Sequence, residues 1–317
     1  MRDKPSEKTK AEETAAPGDL HDNTASAVER SIIKTYRKEI WTKFTRAINE
    51  YELIRDGDKI AVCISGGKDS TLMAKLFQEL ARHGKKNFET EFIVMNPGYN
   101  EENARQIEEN AAFLGIPIRV YRSEIFDVAT AVQKNHASSP CYLCARMRRG
   151  FLYDHARNLG CNKIALGHHY DDVIETILMG MLYGGQIQTM MPKLHSTNFP
   201  GMELIRPMYL IREHDVKRWR DAHGLKFLRC ACPLTEGLDP ESEEALPEIG
   251  HKRTEVKRLI AQLKERSPYI EKNIFRSVEN VHLGAVVAYK DREGKKHHFL
   301  EEYGRETEEY ERTEEDS

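Results

Sequence analysis

The run Ile60-Ala61-Val62-Cys63-Ile64, followed by Ser65-Gly66-Gly67-Lys68-Asp69-Ser70, decides the fold: an apolar segment of strand length breaks at two glycines and re-emerges as a helix beginning near Asp69. Adjacent glycines let the backbone approach an oxyanion. The first helical turn points unpaired N–H groups and the positive end of its dipole at the same place. Lys68 adds a mobile point charge. The segment reads as a phosphate cradle. It is not a Walker A loop, which separates its first glycine from its Gly-Lys pair, whereas Gly66, Gly67 and Lys68 are contiguous.

Working outward, apolar residues from Ile32 to Leu53 recur at helical spacing and predict a helix over 27–51, with Lys34, Arg37, Lys38, Lys43 and Arg46 interleaved. Strands are then predicted at 59–64, 90–95, 117–121 and 162–167, alternating with helices at 69–83, 101–114, 141–158 and 171–183. A strand over 203–208, a helix over 212–223 and a strand over 226–229 complete the pattern. This alternation implies an α/β fold, a doubly wound parallel sheet covered on both faces. Ligands in such sheets bind at the carboxyl ends of the strands, so the loops after Ile64, Met95 and Leu166 are expected to share one cleft. Residues 1–27 read as a disordered arm, 28–235 as the main domain with its N-terminal helix, and 236–317 as C-terminal helices, a hairpin and an acidic tail.

The chain has 317 residues, 39% of them hydrophobic and 31% charged, enough for a full core in a soluble protein. Its start lacks the apolar stretch of a signal peptide, and no run approaches the roughly 18 apolar residues of a membrane span. A cytoplasmic protein with no membrane partner is expected. The net charge of −3 conceals an asymmetry: residues 300–317 carry −7 and residues 1–25 carry −2, leaving the body at +6. Arg146, Arg148, Arg149, Arg206, Arg212, Lys217, Arg218, Arg220, Lys252, Arg253, Lys257 and Arg258 offer a phosphate-binding surface, against the default of solvated helix faces. Trp219 and Tyr142 are candidates for stacking a base, with core packing the default for both.

Leu166-Gly167-His168-His169-Tyr170-Asp171-Asp172 repeats the strand-glycine-helix pattern with two acids in the first turn. Acids there cap helices, a contribution of about 0.5–2 kcal/mol. Opposite a phosphate loop they also suit Mg2+, which takes one or two carboxylates alongside phosphate oxygens. Asp171 and Asp172 are both candidates. The Gly167 loop is expected at the same cleft; His168 and His169 read either as core-facing or as contacts to phosphate or substrate, and Asn96, in the turn-forming loop after the second strand, is a candidate adenine or ribose contact.

Six cysteines in an intracellular chain point to metal or sulfur chemistry before disulfides. Cys63 and Cys161 lie in apolar surroundings and read as core. Cys141 and Cys144 follow Ser139-Pro140, an N-cap and N1 pair, so both thiols share one face of a first helical turn. The helix dipole and Arg146, Arg148 and Arg149 favour thiolates there. Cys230-Ala231-Cys232 forms a second, tighter pair. Taken alone, these thiols suit zinc, redox or iron–sulfur chemistry.

Ser-Gly-Gly-Lys-Asp-Ser resembles the pyrophosphate loop of the N-type ATP pyrophosphatases. Together with Cys-x-x-Cys-x-Arg-x-Arg-Arg-Gly at 141–150, Gly-His-His-x-Asp-Asp at 167–172 and a later cysteine, it resembles the tRNA 2-thiocytidine synthetase family over about Lys38 to Cys232. The resemblance implies ATP, bound by Ser65 to Ser70, with Lys68 and Asp69 catalytic. It implies Mg2+ near Asp171 or Asp172, and a [4Fe-4S] cluster on Cys141, Cys144 and Cys230 with its fourth iron open; Cys141 and Cys144 then carry the sulfur chemistry. The implied reaction adenylates the C2 oxygen of a tRNA cytidine and replaces it with sulfur. The implied partners are tRNA and a sulfur donor, a desulfurase or inorganic sulfide, with a homodimer as an open alternative to a monomer. Cys232 stands where the family often has a differently spaced cysteine, so Cys230 and Cys232 compete for the third ligand position. Thiolation of another base to 2-thiouridine, and a noncatalytic ATP- and RNA-binding redox module, are the rival readings.

Overall fold

The computed structural model describes residues 24–126, 128, 140–228, 248–301 and 303, and the side chains of all of these except 140–143 and 248–251. The arm up to residue 23, Cys230, Cys232 and most of the acidic tail lie outside the described residues, as does the side chain of Cys141.

The N-terminal helix is not continuous. α1 (Ala25–Ile33), capped by Thr24, gives way to a π-helical stretch (Arg37–Trp41) before α2 (Thr42–Glu50). The apolar repeat explains this. Ile32, Tyr36, Ile40, Phe44 and Ile48 are all buried at a strict four-residue spacing, which drifts by about 40° per step around a 3.6-residue helix. A wider π turn takes up that drift and keeps all five on the core side.

β1 (Lys59–Ile64) leads into α3 (Lys68–His83), β2 (Glu89–Asn96) into α4 (Glu101–Phe113), and β3 (Ile118–Arg122) precedes α5 (Pro140–Asn158). β4 (Lys163–Ala165) is followed by α6 (Tyr170–Gly184), β5 (Lys193–His195), β6 (Glu203–Ile205) and α7 (Glu213–Ala222). The sheet order is β3-β2-β1-β4-β6-β5, parallel throughout except for β5. Alternate residues of β1 serve two cores: Ile60, Val62 and Ile64 pack with Leu72, Phe77, Phe92 and Trp219, while Ala61 and Cys63 pack with Ile93, Tyr153, Ala156 and Ile164. Burial on both faces is what the unbroken apolar run required. Trp219 is fully buried, and Cys63 and Cys161 are core residues whose thiols are pushed up by burial, Cys161 to about 11.

Two strand assignments also differ from expectation. β5 was not predicted; it is a three-residue antiparallel edge, too short for a periodicity to register. Residues 226–228 belong to no strand. They are held by single bonds, Asn110 Nδ2 donating to the Lys226 carbonyl at 2.8 Å and the Leu228 N–H to the Gly66 carbonyl at 3.3 Å.

α8 (Glu248–Arg266) and α9 (Ile270–Ser277) pack on α6 in a third core of Val173, Ile177, Tyr209, Val256, Ile260 and Phe275. β7 (Ala288–Lys290) and β8 (Lys296–His298) form the expected terminal hairpin. No helix among the described residues is long and apolar enough to cross a membrane. Phe44 is fully buried and meets Phe77 edge-on at 5.8 Å between ring centroids. Phe44→Ala is expected to cost about 3–5 kcal/mol, measured as a fall in the urea unfolding midpoint.

Candidate active site

A cleft of about 400 Å3 opens at the carboxyl ends of β1 and β4, lined by Ser65, Asp69, Ser70, Met95, Ala145, Arg148, Arg149, Leu152, Gly167, His168 and Asp172 among others. It is the cleft expected at the carboxyl ends of the strands, where the loops after Ile64, Met95 and Leu166 meet.

The Ser65 loop is held open by its own serines. Ser70 Oγ accepts the Ser65 N–H at 3.1 Å, lies 3.1 Å from Ser65 Oγ and donates to the Gly67 carbonyl at 3.1 Å. Gly66 has φ +84°, and a Cβ there would lie 2.6 Å from Ile107 Cγ1. Gly167 approaches so closely that a Cβ would lie 3.1 Å from the Ser70 nitrogen. Gly167 brings the N-termini of α3 and α6 together, concentrating the positive ends of two helix dipoles at one point.

Lys68 bridges Asp69 Oδ2 at 2.9 Å and Glu213 Oε1 at 3.1 Å. Burial works against its charge, but the two carboxylates outweigh it and raise its pKa. Glu213 is held at about 2: burial opposes ionisation, and Lys257, Lys68 and Lys217 overcome it. Asp69 Oδ1 is buried with no hydrogen-bond partner.

The paired acids of α6 have separate duties. Asp171 receives Arg212 at 3.0 and 3.3 Å and the Glu213 N–H at 2.7 Å, so its oxygens tie α6 to α7. Asp172 borders the cleft; its Oδ2 accepts the His169 N–H at 2.9 Å while His169 Nδ1 receives the Asp172 N–H, a reciprocal cap. Burial would raise the Asp172 pKa, but the His169 ring and backbone N–H hold it below the usual range. His168 lines the cleft with Nδ1 buried and unpartnered, and burial, then the nearby Arg206 charge, brings it down to about 4, leaving it neutral at physiological pH. Asn96 is absent from the cleft lining: its Oδ1 accepts the Gly98 and Tyr99 N–H groups at 2.9 and 2.6 Å and shapes the loop, while Met95 lines the wall.

Cys144 is half-buried in the first turns of α5, next to Ala145 on the cleft wall, and Cys141 lies in the same helix one turn earlier. Leu228, two residues before Cys230, is bonded to the Ser65 loop through Gly66. The helix that carries Cys141 and Cys144 therefore borders the cleft.

Three participants carried no local signal in the sequence. Glu213 reads as a first-turn acid of α7, and Arg253 and Lys257 as a solvated helix face. In the fold, Arg253 lies 3.6 Å from Asp172 Oδ1 and 3.3 Å from Glu175 Oε2, and Lys257 lies 3.6 Å from both Glu175 and Glu213. Burial still pushes Glu175 up to about 7 against these cations.

Gly66→Ala is expected to lose about 1–2 kcal/mol from the left-handed backbone alone, with a further loss at Ile107, read together as urea stability and nucleotide affinity. The lowered Glu213 pKa contributes stability that is complete above the ordinary value of 4.5 and lost as pH falls toward about 2. A Glu213→Gln variant is expected to show a flatter acid limb over that window in stability-against-pH measurements.

Residues 36–231 match the family model described as a PP-loop domain. Among curated relatives, the tRNA-cytidine(32) 2-sulfurtransferase of Syntrophotalea carbinolica is 36% identical over 238 residues, covering 74% of this chain and 86% of the relative. That of Pelobacter propionicus is 32% identical over 237 residues, covering 75% and 83%. Among solved structures, the U34-tRNA thiolase NcsA from Methanococcus maripaludis with its [4Fe-4S] cluster superposes with a TM-score of 0.58 at 22% identity, covering 75% of this chain and 76% of that one; the likeness bears on the fold. The chain belongs to the PP-loop enzymes, in the family of the tRNA-cytidine(32) 2-sulfurtransferases.

Proposed function

We propose that this enzyme thiolates a cytidine of tRNA to 2-thiocytidine at the expense of ATP. The observation that carries the reading is that one cleft is lined both by the Ser65 loop and by Ala145, Arg148 and Arg149 of α5, the helix that carries Cys141 and Cys144. A nucleotide-activating half and a thiol-bearing half on one site suit a reaction that first makes the C2 oxygen a leaving group and then replaces it.

In this reading the C2 oxygen forms a bond to the α-phosphorus of ATP as the bond to pyrophosphate breaks. Sulfur then adds at C2 and AMP departs with the oxygen. The N–H groups of the Ser65–Ser70 loop and protonated Lys68 hold the departing pyrophosphate. The residues fit Mg2+: Asp69 Oδ1 is buried without a partner and Asp172 borders the same cleft, whereas Asp171 is engaged by Arg212. Asp69 and Asp172 would hold the ion, which supplies further charge neutralisation on the phosphates. Met95 and the loop shaped by Asn96 would flank the adenine, and Gly167 leaves room for the phosphates. Neutral His168, with Nδ1 open, would hydrogen-bond the base without adding charge.

The thiols at 141 and 144, i and i+3 on a helix, have donor chemistry suited to a [4Fe-4S] cluster. Cys230 would be the third ligand, and the cluster supplies sulfur in a nucleophilic form. Residues 28–235 would form the catalytic body, with α8 and α9 as an appended unit that reaches the cleft through Arg253, and the setting would be cytoplasmic, with the tRNA.

Cys144→Ala is expected to lower 2-thiocytidine to background in tRNA from a complemented deletion strain, read by nucleoside mass spectrometry, while tRNA-stimulated AMP formation persists. Stoichiometric zinc in anaerobically purified protein would overturn the cluster, and loss of 2-thiouridine instead of 2-thiocytidine in the deletion strain would overturn the base. Asp172→Asn is expected to slow AMP formation by about 100-fold, the scale of losing one preorganised electrostatic group.

A further inference from the structure

Arg206 is a buried cation without a counter-ion. It follows β6 and is only 7% exposed; its guanidinium donates to the Met191 carbonyl, its Nε has no partner, and no acidic side chain among the described residues pairs with it. A buried unpaired charge is costly to desolvate, so a fold that keeps one has a use for it. The neighbouring charge makes the arrangement less favourable still: Arg149 of α5, which lines the cleft, is close enough that, after burial, it is the largest influence lowering Arg206 to about 10. Two guanidiniums approach from separate elements, and among the described residues no carboxylate forms an ion pair with Arg206.

The position says which anion. In the parallel register Ala165 pairs with Ile205, and the Leu166 N–H bonds the Ile205 carbonyl at 3.0 Å, so Arg206 lies alongside Leu166 and the Gly167–His168 turn. Ile205 faces the core with Trp219, and Leu204 faces the one with Tyr153, so Arg206 falls on the α5 side with Arg149. β4 separates β6 from β1, which puts Arg206 about 10 Å across the sheet from the Ser65 loop. In the tRNA-thiolation reading the ATP phosphates would lie at that loop and the adenine beyond it toward β2, on the far side from Arg206. The opposite side is where the acceptor must enter. A loop nucleotide splayed into a pocket brings its flanking phosphate with it, below the protein surface.

We propose that Arg206 and Arg149 form a subsite for one backbone phosphate of the acceptor RNA beside the target cytidine, an inference that rests on the tRNA-thiolation reading. The test is binding of unmodified tRNA by fluorescence anisotropy over a KCl series, alongside ATP titrations, for the wild type, Arg206→Gln and Arg149→Gln. The expected result is about tenfold weaker tRNA binding with a log–log salt slope shallower by about one in each variant, and ATP affinity unchanged within about twofold. Arg206→Gln is also expected to melt no lower than the wild type, because an uncompensated buried charge is gone; should it fail to fold, the exposed Arg149→Gln decides the question. A salt slope unchanged in both variants, when the wild type thiolates tRNA, overturns the subsite alone, as does a larger loss of ATP than of tRNA affinity. A wild type that binds no tRNA overturns the function as well.

Discussion

The site depends on one close approach of two backbones, Gly167 against Asp69 and Ser70. Any side chain at residue 167 would intrude on the first turn of α3, so only glycine allows the turn after β4 to lie against the turn after β1. Because the strands are parallel and adjacent, both helices then start at the same edge of the sheet, and the positive ends of their dipoles meet at a single cleft. Asp69, Lys68, His168 and Asp172 all inherit their positions from that contact.

Around it lies a charge network that crosses most of the chain. Lys68 comes from the loop, Asp172 and Glu175 from α6, Glu213 from α7, and Arg253 and Lys257 from α8. Half-buried ion pairs of this kind give little net stability, since desolvation offsets much of the attraction. Their effect is placement: Glu213 keeps Lys68 oriented across the cleft mouth, and Asp171 fastens α6 to α7 so that the adjacent Asp172 is left on the cleft side. The same network carries the C-terminal helices into contact with residues of the PP-loop domain.

Much of this was legible in the order of residues. The run 60–64, buried on both faces, and the glycine turns after it and after Leu166 are local patterns whose geometry follows from backbone sterics, and they located the cleft before any packing was known. The strict four-residue spacing from Ile32 to Ile48 was equally visible, but reading it as one regular helix missed the π turn that such a spacing demands. The roles of similar residues were not legible: Asp171 and Asp172 differ only in which way each points, and Asn96 spends its side-chain oxygen on its own loop. Arg206 looked like one more member of a solvated basic set, because nothing local marks a cation as buried.

By itself the sequence determined the alternation of strands and helices, the phosphate-type loop at Ser65–Ser70, and the pairing of thiols at Cys141 and Cys144, all set by contacts within a few residues. Only the tertiary structure decided that Glu213 meets Lys68, that α8 reaches Asp172, that Leu228 bonds Gly66, and that Arg206 lies buried with no acidic partner among the described residues. Those facts join residues far apart in the chain, and they follow from strand order and helix packing, which bring distant side chains together without leaving a periodicity to read.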